Sequence, residues 1–227
     1  MTEPDPQFAR LLQDAARLQQ VVPDAILVGG SAAALQARHR VSYDHDRVVA
    51  DLSDRFDVVL EALEREPEWV MNRAVPGKII LGELGGIETG VRQMIRARPL
   101  ETETVTLPGG EQLVVPTLDE TLRIKAFLIV RRNQVRDYLD VAALADRAGI
   151  DRAAQTLAHI DDYYADQAPH DGTVAAQVLE QLADPKPKDS RTIGKLSDYK
   201  GLRGRWRDWD QVTAVCRRVA DRMLTAD

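Results

Sequence analysis

Near the N-terminus, a short apolar run meets two glycines and then a stretch of strong helix formers. Residues 25–28 are consecutive apolar residues, which is typical of a short buried strand. Gly29 and Gly30 follow, and residues 31–37 are rich in alanine, with Ser31 placed to cap a helix. Glycines let a backbone approach a phosphate closely, and the N–H groups at a helix start attract anions, so this is a candidate phosphate site. An ordinary turn without a ligand fits the same residues.

A second polar motif lies a few residues further on. The pattern VSYDHDRVV at residues 41–49 predicts a strand, because β-branched residues stand at both ends. Side chains alternate between the two faces of a strand, so Ser42, Asp44 and Asp46 would share one face and His45 would point away. Two carboxylates at this spacing repel each other unless a cation neutralises them, and Mg²⁺ prefers oxygen ligands. We therefore expect a metal at the two aspartates; a polar strand facing water is the alternative.

The remaining patterns divide the chain into a mixed half and a helical half. Glycine pairs at 85–86 and 109–110 separate short strand-like runs, which is typical of hairpins. After Pro116 the patterns are mainly helical. We expect an α+β fold, with a small mixed sheet flanked by helices in residues 1–116, followed by a helical region in residues 117–227.

One stretch of the helical half carries several charged residues: Lys125, Arg132, Arg136, Asp137 and Asp140. On one continuous helix, the three basic side chains would lie within roughly 40° of one another and could face phosphates. Asn133 and Gln134 interrupt the helical pattern between them. Surface ion pairing, such as Arg136 with Asp140 four residues later, explains the same charges.

Taken in order, GGSAAAL, SYDHD and RIKAFLIVRRNQVRDYLD resemble the motifs of the DNA polymerase β-like nucleotidyltransferases. The last segment resembles that of their AbiEii-like toxin branch, and the resemblance covers about residues 25–146. It implies an enzyme that moves a nucleoside monophosphate from an NTP to an acceptor, with Mg²⁺ as cofactor and Mn²⁺ as an alternative. The toxin branch implies an RNA acceptor, with tRNA the leading candidate, and a cognate antitoxin as partner.

The resemblance also implies roles for individual residues. Asp44 and Asp46 would hold the metal ions and act in catalysis. Lys125 would contact phosphates, and Asp137 would complete the catalytic site or position the acceptor. We expect nucleotide contacts from six further residues: Gly29, Gly30, Ser31, Ser42, Arg132 and Arg136.

The sequence departs from the family pattern in two places. The residue between the aspartates is usually apolar, whereas here it is His45, which we expect to be buried or to face a partner. Many members carry a third carboxylate on a later strand, where this chain offers only Glu88 in IETGVRQMI. A two-aspartate site is therefore expected, with Glu88 an open third ligand. A small-molecule or protein hydroxyl as acceptor, or a non-catalytic nucleotide-binding module, remain alternatives.

Charge and composition narrow the setting. The chain has a formal net charge of −6, yet residues 184–222 hold eleven basic residues against six acidic ones. This basic segment would suit an RNA acceptor, although a solvated helix face has the same composition. A single cysteine, no signal-peptide pattern and no long apolar run predict a cytoplasmic protein without a membrane partner.

Overall fold

The computed structural model of the chain describes residues 5–168, 172–199 and 201–226. The chain divides into two compact units. The first comprises Met1–Ala32 and Val41–Thr117, and the second comprises Ala33–Arg40 and Leu118–Asp227. The short stretch Ala33–Arg40 therefore belongs with the C-terminal part of the chain, although its neighbours in sequence belong to the first unit.

The described part of the first unit is built around a five-stranded mixed sheet. The strands of the unit are β1 (Ile26–Val28), β2 (Asp44–Val49), β3 (Trp69–Val75), β4 (Ile79–Leu84), β5 (Ile87–Gln93), β6 (Thr102–Thr106) and β7 (Gln112–Pro116). The large sheet has the order β1-β2-β5-β4-β3, and β6 pairs with β7 in a second sheet. Strands β2 and β5 run parallel, and the other neighbours are antiparallel.

Helices α1 (Pro6–Val21) and α3 (Leu52–Glu64) pack on this sheet, and α2 (Gly29–Ala37) follows β1 directly. The apolar core of the unit joins residues of α1 and α3 to residues of the strands, among them Leu18, Phe56 and Val91. Strand β2 has alternating burial, with His45 and Arg47 fully buried and the aspartates half-buried. As expected, Asp44 and Asp46 lie on one face of β2 and His45 lies on the other.

Arg47 is a fully buried cation on the inner face of β2. Its guanidinium donates to the carbonyl oxygens of Ala15 and Ala25 and to Oε1 of Gln19. Burial removes water from the charge and lowers the pKa of Arg47 to about 9. These bonds attach β2 to α1 and to the residue just before β1, and so hold the strand that carries both aspartates.

The described part of the second unit is mainly helical. Its further helices are α4 (Leu118–Arg132), α5 (Val135–Ala148), α6 (Ile150–Ala158), α7 (Asp161–Tyr164), α8 (Val174–Ala183) and α9 (Trp209–Met223). Helix α5 lies at the centre, with ten buried residues, and Gly149 ends it with a φ of 93°. None of the helices in the described ranges has both the length and the apolar character that crossing a lipid bilayer requires.

Two local expectations need correction, although the α+β fold class is confirmed. Strand β2 begins at Asp44 rather than at residue 41, so Ser42 lies before it. Helix α2 begins at Gly29, so Ser31 lies inside the helix and does not cap it. The interruption at Asn133 and Gln134 is present: Asn133 adopts a φ of 49° and separates α4 from α5, so Lys125 and Arg136 lie on different helices.

Candidate functional site

Asp44 and Asp46 lie on one face of β2, at its N-terminal end. In the first unit, the backbone and side chain of Asp44 are held by two serines. The hydroxyl of Ser42 donates to Oδ1 of Asp44 over 3.1 Å, and that of Ser31 donates to its backbone carbonyl oxygen. Ser31 and Ser42, both predicted to contact a nucleotide, thus position the first aspartate.

Two glycines flank the carboxylate of Asp46. A Cβ atom placed on Gly29, whose φ is 73°, would lie 3.4 Å from Oδ2 of Asp46. A Cβ atom on Gly90, opposite Asp46 in the parallel register, would lie 3.2 Å from Oδ1. The first N–H groups of a helix have no partner within it, and the start of α2, at Gly29, lies beside this carboxylate. The predicted turn and the predicted metal motif therefore meet.

Glu88 stands opposite Asp44 in the register of β2 and β5, but its side chain is exposed. The described residues contain no group of three or more His, Cys, Asp or Glu side chains arranged to hold a metal ion. Asp44 and Asp46 share one face of β2, and Glu88, exposed on β5, stays an open third ligand.

Arg92 is a site residue that the sequence analysis did not select. It lies two residues after Gly90 on β5, and its Nε is 3.2 Å from Oδ1 of Asp46. Both side chains are partly exposed, 45% for the arginine and 33% for the aspartate. Because side chains alternate along a strand, Arg92 and Gly90 share one face of β5, and this spacing of two is the sequence signal that could have identified Arg92.

His45 points away from the aspartates, as its position in the motif indicates. It is fully buried, and its Nδ1 lies 3.0 Å from the hydroxyl of Thr89 on β5. Burial lowers the pKa of His45 to about 3, so the ring is neutral at physiological pH. Its contacts link β2 to β5 and place it on the face opposite Asp44 and Asp46.

In the second unit, Lys125 belongs to a buried cluster centred on Asp140. Its Nζ lies 2.7 Å from Oδ2 of Asp140, and Arg40 and His39 each approach Oδ1 within 2.8 Å. Burial alone would raise the pKa of Asp140, but Arg40 and Lys125 outweigh it and hold that pKa well below its usual value. Asp140 is thus ionised and internally compensated.

Asp137 and Arg132 form a second ion pair in the same unit. The guanidinium of Arg132 donates to both carboxylate oxygens of Asp137, over 2.8 Å and 2.6 Å. Asp137 is fully buried and Arg132 is one-third exposed. Arg136, the next residue before Asp137, has a buried Nε without a hydrogen-bond partner. The charged residues predicted for the site on α4 and α5 therefore belong to two separate ion-paired groups, one with Lys125 and Asp140 and one with Arg132 and Asp137.

Comparisons with known proteins add two findings, while no protein-family model matches the chain. Over 97% of its length, the chain is 33% identical to MmpL11 of Mycobacterium bovis, named a transport protein, and to MmpL11 of Mycobacterium tuberculosis, named a heme uptake protein. The chain spans only 23% of the length of these relatives. The transport and uptake activities in these names therefore describe those longer proteins.

The second finding concerns the fold. A crystal structure of an H. pylori protein described as a nucleotidyltransferase aligns with 99% of this chain and 98% of its own, with a TM-score of 0.51 and 12% identity. The chain has a nucleotidyltransferase-like fold. At 12% identity this similarity establishes the fold alone. The assignment to the AbiEii-like toxin branch rests only on the sequence motifs of this chain.

Proposed function

We propose that the chain is a Mg²⁺-dependent nucleotidyltransferase, which moves a nucleoside monophosphate from an NTP to an acceptor and releases pyrophosphate. One observation carries the proposal: the carboxylate of Asp46 lies against Gly29 at the start of α2, on the same strand face as Asp44. A phosphate-binding helix start and a pair of metal-binding carboxylates are thereby adjacent within one unit, which is the combination that phosphoryl transfer needs.

The donor set of the two aspartates suits Mg²⁺. This ion is bound in proteins through one or two carboxylates, with its remaining ligands taken from water and substrate phosphates. Gly29 and Gly90 lie so close to Asp46 that a Cβ on either would come within 3.4 Å of its carboxylate oxygens, so glycine at both positions keeps side chains away from this carboxylate. When bound, Mg²⁺ or Mn²⁺ would neutralise phosphate charge and polarise the phosphoryl group under attack.

The side chains of the first unit then have distinct tasks. The free N–H groups at the start of α2, from Gly29 and Gly30 onward, bind the phosphates of the NTP. Ser31 and Ser42 fix Asp44 through their hydroxyl bonds. The acceptor oxygen forms a bond to the α-phosphorus, the bond to pyrophosphate breaks, and the acceptor proton passes to solvent.

The roles of Lys125, Arg132, Arg136 and Asp137 follow from the motif resemblance. Contacts of Arg132 and Arg136 with phosphates are supported by their charge and by the partly exposed guanidinium of Arg132, whereas the ammonium of Lys125 is buried against Asp140. Lys125 and Asp137 each already have an ion-pair partner in the second unit. For these two residues we propose that they hold the charged groups around them in place rather than react.

The proposed acceptor is RNA, with tRNA the leading candidate, in a toxin–antitoxin setting. All ten basic residues of segment 184–222 that the structure describes are exposed, and Lys200 lies outside the described residues. Three of the ten pair with aspartates: Lys186, Arg205 and Arg222. An exposed excess of positive charge supports binding of a phosphate backbone.

Label transfer from NTP tests the activity and the acceptor together. The chain is incubated with Mg²⁺, each α-³²P-labelled NTP in turn, and total RNA. We expect label in a small-RNA band, and its loss on addition of EDTA, because the proposed transfer needs the divalent ion. Label in protein or in a small metabolite would instead support the alternative acceptors. Binding of NTP without any transfer would favour a non-catalytic module.

Arg92→Gln is expected to strengthen binding of Mn²⁺ in the absence of nucleotide. The guanidinium of Arg92 occupies Oδ1 of Asp46, so a metal ion must compete with it. Exposed ion pairs are worth up to about 1 kcal/mol, so the gain should reach at most about fivefold. Mn²⁺ titration by electron paramagnetic resonance measures it, with Arg65→Gln, on the exposed surface of α3's end, as control. Equal affinity in wild type and Arg92→Gln would contradict the competition.

A further inference from the structure

A cavity of about 260 Å³ lies in the first unit, at the end of the sheet where β5 begins. It is lined by the N-terminal half of α1, by Ser42 and Tyr43 just before β2, and by the turn between β4 and β5. We refer to it as the Tyr43 pocket. None of the roles proposed above uses Tyr43 or the α1 residue Arg10, which also lines it.

The Tyr43 pocket adjoins the first candidate metal ligand. Ser42 lines the pocket, and its hydroxyl donates to Oδ1 of Asp44 over 3.1 Å. Ile87 lines it as well, and the next residue of β5, Glu88, stands opposite Asp44 in register. Gly29 lies beside Asp46 instead, and Asp46 is two residues further along β2, a distance of about 7 Å in a strand. A ligand in the pocket would therefore lie beside Asp44, and phosphates bound at the start of α2 would lie beside Asp46.

The lining of the pocket combines an exposed aromatic ring with a cation. Tyr43 is 52% exposed, which is high for a large ring. Arg10 is exposed, donates one bond over 3.1 Å to the carbonyl oxygen of Gly85 and interacts electrostatically with Asp14. Its guanidinium has further N–H groups that can donate to a ligand. Nothing lies within 4 Å of a Cβ placed on Gly86, so the turn presents bare backbone. A ring that stacks bases beside a cation that binds phosphate is typical of single-stranded nucleic-acid sites.

The volume of the pocket limits the size of its occupant. Pockets that hold a drug-sized molecule usually measure about 300–1,000 Å³, and this one is smaller. A single nucleotide of a chain molecule fits this volume better than a larger, drug-sized molecule does. We infer that the Tyr43 pocket binds the terminal nucleotide of a single-stranded RNA, with its base on Tyr43 and a phosphate on Arg10. That this RNA is the acceptor rests on the proposed function.

Binding of RNA is measured directly, without turnover. The probe is an eight-nucleotide single-stranded RNA with fluorescein at its 5′ end. Its binding to the full chain is measured by fluorescence anisotropy. Tyr43→Ala should weaken binding about tenfold, because one stacking contact is lost. Tyr43→Phe keeps the ring and should stay within about twofold of wild type. Arg10→Gln should reduce the salt dependence of log K by about one unit, the value for one phosphate contact.

Arg65→Gln is the matched control, since it removes an exposed arginine of the same unit outside the pocket. The inference is overturned if wild type does not bind the RNA, or if Tyr43→Ala and Arg65→Gln bind it equally well. Tyr43 and Arg10 are exposed, so circular dichroism should show unchanged folding in all variants.

Label transfer separates this inference from the proposed function. If transfer occurs and Tyr43→Ala leaves the KM for RNA unchanged, the pocket assignment fails while the enzyme assignment stands. If Tyr43→Ala weakens RNA binding as expected and wild type transfers no label, the pocket stands and the enzyme assignment fails. If transfer occurs and Tyr43→Ala raises the KM for RNA with the KM for NTP unchanged, both stand.

Discussion

Asp44→Asn and Asp46→Asn are each expected to reduce nucleotidyl transfer by about a thousandfold or more. Asparagine keeps the shape of the side chain and removes the negative charge that would hold Mg²⁺. A metal contributes several kcal/mol of charge stabilisation in such reactions, and each 1.36 kcal/mol corresponds to a factor of ten in rate. Initial rates of label transfer from the preferred α-³²P-labelled NTP, at saturating Mg²⁺, give the result.

Asp51→Asn provides the control for this pair. Asp51 belongs to the same unit, its side chain is 53% exposed, and it pairs with Arg55 at the start of α3. Its replacement should leave the transfer rate within about twofold of wild type. A Mn²⁺ titration adds a readout that does not depend on turnover, and both site variants should bind the ion more weakly than Asp51→Asn does. Full activity in either site variant would contradict the metal assignment.

Asp140→Ala is expected to lower the free energy of unfolding by about 3–5 kcal/mol. The substitution leaves Arg40 and Lys125 buried without their carboxylate, and removing one partner of a buried pair has this cost because the remaining charge is uncompensated. His39 also loses its partner. Urea denaturation at pH 7, followed by circular dichroism, measures the loss.

The control for this effect lies on the same helix. Asp146 pairs with Arg205, and both side chains are nearly half exposed, so Asp146→Ala should cost less than about 1 kcal/mol. If Asp140→Ala does not fold at all, Asp140→Asn, which keeps hydrogen-bond acceptance, allows the loss to be quantified. Equal stability of Asp140→Ala and Asp146→Ala would show that the buried cluster contributes little.

The same cluster predicts a dependence on pH. The pKa of Asp140 is held well below its ordinary value of 3.8, so the unfolded chain takes up a proton at this residue at a higher pH than the folded chain does. Its contribution to stability is therefore complete above that ordinary value and declines as the pH falls towards the folded-state pKa. The difference between wild type and Asp140→Ala should shrink over this acidic range.

Local pattern alone determined much of the first unit. The apolar run before two glycines predicted β1 and a helix after it, because strand and helix periods are set by residues close in sequence, although α2 begins at Gly29 rather than after the glycines. The period of two along β2 also placed Asp44 and Asp46 on one face and His45 on the other. The break between α4 and α5 was already marked by Asn133, a residue that tolerates a positive φ.

Tertiary structure decided the partners of these residues. Ser31 bonds the carbonyl oxygen of Asp44, thirteen residues away, and Arg92 reaches Asp46 from a neighbouring strand. Asp140 finds His39 and Arg40 about a hundred residues earlier in the chain. Periodicity states which face a side chain occupies, but which charges meet across that face depends on how strands and helices pack. That is why the shared face of Asp44 and Asp46 was readable from the sequence and the ion pairs around them were not.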